Sequence, residues 1–186
     1  GVILAFHGYH SFAEKDFGCI APYLTEAGYS ILFADQRAHE NSEGEIITWG
    51  VKERFDCLEW ADTISARTQG KLPLYLYGQS MGASTVLMAS GLVLPEAVKG
   101  IVADCGFTTP AAEMAYTLRH TYRLPSFPFL PLMGLAARLC KNYSIWGAST
   151  VKALQRNRIP VLLYHGKLDA IVPYAMSVEN NAAAAA

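Results

Sequence analysis

The four cysteines of this 186-residue chain, Cys19, Cys57, Cys105 and Cys140, form no C-x-x-C pair and no cluster with histidine. That spacing argues against a zinc site and against a disulfide framework. It predicts buried or half-buried free thiols, no metal, and a reducing, cytoplasmic setting. Charge is also scarce, at 17% of residues with a net charge of −1. A near-neutral chain offers no electrostatic footprint for nucleic acid or an anionic membrane. No apolar run approaches the roughly 18 residues of a membrane span, and no secretory signal pattern opens the chain. What it does have is apolar content, 52% of residues, enough for the core of one globular domain.

That apolar content is patterned. Val2 to Phe6, Tyr29 to Ala34, Leu72 to Tyr77, Val98 to Ala103 and Pro160 to Tyr164 read as strands. Between them, apolar residues recur at helical spacing: Phe17, Ile20, Ala21, Leu24 and Ala27 up to a stop at Gly28, then Val51, Phe55, Leu58 and Ala61. Near-continuous apolar strands alternating with amphipathic helices predict an α/β fold, a parallel sheet covered on both faces. About 55 residues separate the last two strands, far more than a usual connection. Residues 104–157 are therefore expected to form a lid inserted between core segments 1–103 and 158–186. Helices are expected at about Ala111 to Arg119 and Leu132 to Lys141. The proline-rich run Leu124 to Leu132 between them is expected to be non-helical. An insertion that only packs on the surface is the plainer alternative. Gly1 to Phe6 already form a core strand and Ala182 to Ala186 are all alanine, which points to the middle of a larger domain.

The most specific motif is Gly78-Gln79-Ser80-Met81-Gly82, a G-x-S-x-G run between a strand and a helix. This pattern holds a serine on a strained turn, hydroxyl outward, with glycines where strand and helix pack too closely for side chains. A serine needs a base to take its proton and donors to stabilise the oxyanion. Candidate donors are the backbone N–H of Met81, at a helix N-terminus, and that of Tyr9, in the turn His7-Gly8-Tyr9-His10. Both turn histidines precede the serine, and packing or loop roles are expected for them. The candidate acid is Asp169, a short turn beyond the last strand, with Asp104 after the preceding strand as its rival. Asp35 is expected to pair locally with Arg37. Phe127 and Phe129 are the candidate pocket residues of the lid.

Phe6-His7-Gly8, the Asp35-x-Arg37 turn with Ser42-Glu43-Gly44, Gly78-x-Ser80-x-Gly82 and His165-Gly166-x-x-Asp169-x-x-Val172-Pro173 stand together in one order. In that order the chain resembles the α/β-hydrolase family, in particular its bacterial serine hydrolases. The resemblance implies an eight-stranded, mostly parallel sheet, of which these five strands would be the third to seventh. The fragment would then lack the first strands and the last. One departure is that Ala38 and Glu40 stand where glycines are common. Another is that no histidine follows His165, so the resemblance places the base beyond Ala186. It implies a carboxylesterase-like enzyme acting on a small acyl substrate, with no cofactor. The alternatives are a peptidase or aminopeptidase of the same fold and a non-catalytic binding module. A serine nucleophile argues against a dehalogenase or epoxide hydrolase.

Overall fold

In the computed structural model, which describes residues 1–185, five strands form one sheet: β1 (Val2–Phe6), β2 (Ser30–Ala34), β3 (Leu74–Gln79), β4 (Val98–Asp104) and β5 (Val161–Tyr164). Their order is β2-β1-β3-β4-β5, with every neighbouring pair parallel. Parallel neighbours require crossovers, and helices supply them. All five expected strands are present. The third starts at Leu74 rather than Leu72, because Pro73 has no N–H to pair and instead accepts the Val2 N–H at 2.8 Å.

The period of two along each strand divides the core. Val2, Leu4, Phe6, Leu74 and Leu76 face one side, packing with helices α3 (Glu53–Arg67) and α4 (Met81–Ala89). Ile3, Ala5 and Tyr77 face the other, under α1 (Ala13–Phe17) and α2 (Ala21–Glu26), with Phe17, Ile20 and Leu24. The single helical pattern expected across 17–27 is thus two short helices. Pro22, within the first two positions of α2, suits a helix start rather than an interior. Gly28 ends the pattern as expected, at φ +86°.

Four more helices follow: α5 (Pro110–His120), α6 (Ser126–Lys141), α7 (Thr150–Leu154) and α8 (Tyr174–Ala184). The expected non-helical run Leu124 to Leu132 needs correction. α6 begins inside it, regular after a break at Phe127. Pro128 directly follows the break, where few N–H groups have intrahelical partners, and Pro131 lies inside the helix. Within 104–157, Ala111, Met114, Ala137 and Ile145 form a small core of their own. Leu154 of α7 instead joins the main core, so α7 packs with the sheet-covering layer. The four cysteines are free, but Cys19 and Cys140 are exposed rather than buried. Ala186, the last of the alanine run, lies outside the described residues. Among the described residues no helix is long and apolar enough to cross a membrane.

Candidate active site

Ser80 sits between β3 and α4 at φ +54°, ψ −114°, outside the left-handed helical well and unusual for any residue but glycine. The flanking glycines show why the chain turns this way. A Cβ on Gly78 would lie 2.2 Å from the Gly82 carbonyl oxygen, and one on Gly82 would lie 2.0 Å from that of Phe6. Both obstacles are backbone and cannot yield. Hydrogen bonds fix the turn on each side: the Ser80 N–H donates to the Asp104 carbonyl at 2.7 Å, and the Ser84 N–H to the Ser80 carbonyl at 3.0 Å. Ser80 is half-buried, and among the described residues its hydroxyl has no hydrogen-bond partner.

The close approach of Gly82 to Phe6 also sets the end of β1 against the start of α4. The turn after β1 then lies beside the serine, since a Cβ on Gly8 would be 3.4 Å from Ser80 Cβ. Asp16 pins that turn, with Oδ2 accepting the Gly8 N–H at 2.6 Å and Oδ1 the Ser11 hydroxyl at 2.5 Å. Among the described residues, neither the Tyr9 nor the Met81 backbone N–H has an acceptor. Two free donors thus belong to the turns that meet at the serine.

Hydrogen bonds tie His7 and His39 into the turns around the serine. His7 Nε2 accepts the Gln36 N–H at 3.1 Å, and His39 Nε2 accepts the His10 N–H at 3.1 Å. Each Nδ1 lies within reach of a backbone carbonyl, of Gly8 and Arg37 respectively, so both rings are neutral with the proton on Nδ1. Burial lowers the pKa of His39, and the hydrogen bond to the Arg37 carbonyl opposes this.

On the other side of Ser80, beyond β4 and β5, Asp169 holds its own loop. Its Oδ1 accepts the N–H groups of Ile171 (2.8 Å) and Val172 (3.0 Å), and its Oδ2 lies 3.2 Å from His165 Nε2. Asp104 differs: burial pushes its carboxyl above the ordinary range, a hydrogen bond from Cys105 and the nearby His165 oppose this, and the Asp169 charge adds to it. Burial, then the Asp104 charge, raises the Cys105 thiol to about 12, so it stays protonated. His165 Nδ1 also lies 2.5 Å from the Ser177 hydroxyl, which gives Asp169, His165 and Ser177 the connectivity of a catalytic triad. Ser177, however, is buried inside α8 and has no strained turn. His165 Nε2 is shared with the Val172 carbonyl at 2.9 Å. This second constellation braces the loop.

Residues 1–145 match the family Hydrolase_4, described as serine aminopeptidase, S33. The chain belongs to this α/β-hydrolase family. It is 30% identical over 148 residues to the uncharacterized protein YqkD of Bacillus subtilis (strain 168), a match covering 80% of the chain and 48% of that protein. The chain thus spans about half the length of that curated relative. Among solved structures, the Pyrococcus furiosus esterase Pf2001 superposes with a TM-score of 0.75 at 21% identity, over 99% of this chain and 68% of that one. Est1E from Butyrivibrio proteoclasticus, solved with ferulic acid bound, gives 0.70 at 19% identity, over 98% and 75%. At such identities the structural likeness shows the fold alone.

The expected Asp35–Arg37 pair of this α/β hydrolase is corrected: Arg37 makes a two-pronged ion pair with Asp56 of α3, its Nε 2.7 Å from Oδ2. Asp35 contributes its carbonyl, which accepts the Ser42 hydroxyl at 2.6 Å. Phe127 is 78% exposed, and neither it nor Phe129 lines the cavity beside the Tyr9 turn. That cavity, of about 600 Å³, lies between the turn, the segment 45–49 and α6, and Met133 reaches it from α6. A cavity of about 690 Å³ along β2, between Arg37 and Trp60, has no candidate site residue in its wall. Three residues that shape this region escape sequence reading: Asp16, Trp49 and Glu53. Their partners are 5–8, 40 and 3–5 residues away, and no local motif marks them.

Proposed function

We propose that this chain carries the nucleophile, oxyanion donors and acid of a serine hydrolase that cleaves acyl esters. The observation behind this reading is the strained Ser80, its hydroxyl unpartnered among the described residues beside the two free N–H groups of Tyr9 and Met81. Ser80 Oγ attacks the ester carbonyl carbon and gives its proton to a histidine oriented by Asp169. The two N–H groups hold the resulting oxyanion. Collapse breaks the bond to the alcohol oxygen, which takes the proton from the histidine, and water then releases the acid from the acyl-enzyme. The histidine is supplied from beyond Asp169 in the longer protein. Three of the chain's five histidines, His7, His39 and His165, have both ring nitrogens engaged. α5 and α6 form the lid in this reading.

An aminopeptidase reading has one observation in its favour beyond the family's description: the buried Glu113 of α5 lies close enough to Asp169 to feel its charge. Against it, residues 104–157 carry Arg119, Arg123, Arg138, Lys141, Lys152 and Arg156 and only two acids, Asp104 and Glu113, a poor setting for a substrate ammonium. Esters are therefore the preferred class. In the full-length protein, Asp169→Asn should lower kcat for a p-nitrophenyl ester by on the order of 10⁴, with Asp104→Asn costing far less. The reverse ranking in folded variants would move the acid to β4. Faster turnover of aminoacyl amides than of matched esters would favour the peptidase.

A further inference from the structure

The cavity beside the Tyr9 turn shares a residue with the oxyanion site, since Tyr9 supplies a free N–H to one and its ring to the other. That ring stacks on Trp49, with centroids 4.6 Å apart and planes at 22°. Ile47, Tyr143, Met133 and Ala137 add further apolar wall. At about 600 Å³ the space falls within the range of small-molecule sites.

Trp49 is not placed there by default. Its φ is +58°, followed by Gly50 at +88°, a strained conformation for a bulky aromatic. The buried Glu53 enforces it from both sides. Its Oε1 accepts the Thr48 N–H at 2.7 Å, and its Oε2 accepts the Gly50 N–H at 2.8 Å and the Thr48 hydroxyl at 2.6 Å. A clamp on both flanking residues over-determines the one between, which is how local strain persists at functional sites. Glu53 is a positioning residue; the Trp49 ring is the wall it positions.

We propose that this cavity binds the acyl chain of the ester, with Trp49 and Met133 as specificity-determining residues. The inference rests on the serine-hydrolase reading, and the sheet order supplies the direction. Ser80 follows β3, Tyr9 follows β1 on one side, and Asp169 follows β5 on the other. The leaving alcohol must take its proton from the histidine held by Asp169, so it points toward β5. The acyl chain then points toward β1, where the cavity lies. The ligand class is a neutral, apolar acyl group; the Lys141–Glu45 ion pair at 3.1 Å stands at the rim.

The test uses the full-length protein and two substrate series: p-nitrophenyl esters from acetyl to octanoyl, and acetate esters of alcohols from ethanol to octanol. Met133→Trp, which fills the cavity from the lid, should lower kcat/KM for the octanoyl ester relative to the acetyl ester by at least about tenfold. Trp49→Ala should move the preferred acyl length in the opposite direction, and neither variant should change the alcohol preference. An unchanged acyl profile in both variants, with Ser80 still labelled by a fluorophosphonate, overturns the acyl assignment alone. A shift confined to the alcohol series gives the cavity to the leaving group and also overturns it. Loss of fluorophosphonate labelling from the wild-type protein removes the catalytic reading and this inference together.

Discussion

Ala38 and Glu40 stand where similar hydrolases commonly have glycine, and the backbone makes no concession to the change: their φ values are +58° and +43°. An alanine in the left-handed region costs roughly 1–2 kcal/mol through its Cβ. Glycine would remove that cost and add about half as much in unfolded-chain entropy. Ala38→Gly is therefore expected to stabilise the protein by about 0.5–1 kcal/mol, seen as a higher urea midpoint at unchanged slope. A lower midpoint would mean that the Ala38 methyl packs usefully. At this scale the sequence is most readable where chemistry and backbone coincide, as at Ser80 between its two glycines. It is least readable where a side chain acts at long range. Arg37 visibly needs a carboxylate, but choosing Asp56 over Asp35 requires knowing how α3 lies against the turn.

Among the elements, α5 carries the least settled charge. Burial raises the Glu113 carboxyl to about 7, a hydrogen bond from Thr117 opposes the rise, and the Asp169 charge adds to it. Its Oε2 is buried without a partner among the described residues. The folded pKa lies above the unfolded value, so the folded state binds the extra proton between about pH 4.5 and 7. Stability is then fully present below the unfolded pKa and falls as pH rises through about 7, by on the order of 3 kcal/mol at most. Thermal melting of the wild type should show this decline between about pH 4.5 and 7, levelling off above, and Glu113→Gln should flatten it. A variant with the same pH slope as the wild type would assign the decline to other groups. The strands and the long helices are legible as elements because each carries its own period. The split of α1 from α2 just before Pro22 and the regular run of α6 from Pro128 are not. Proline in a sequence suggests a helix breaker, whereas its place at a helix start is equally compatible with its fixed φ and missing N–H.

At the scale of the whole molecule, the site is a product of strand order. The residues after β1 and β3 are distant in sequence and come together because β1 and β3 are neighbours, while β5 lies two places from β3 across β4. The G-x-S-x-G and His-Gly-x-x-Asp motifs mark the two sides from sequence alone. The apolar wall between α6 and the Trp49 segment depends on how α6 packs against that segment, which no local pattern records. For that reason the sequence does not mark Met133 as a residue lining this cavity. The central claim, that Ser80 is the nucleophile, is tested most directly by treating the full-length protein with a fluorophosphonate and mapping the adduct by mass spectrometry. The account predicts a single adduct on Ser80, absent in Ser80→Ala. An adduct on Ser177, which contacts His165 and through it Asp169, or labelling that persists in Ser80→Ala, would contradict it.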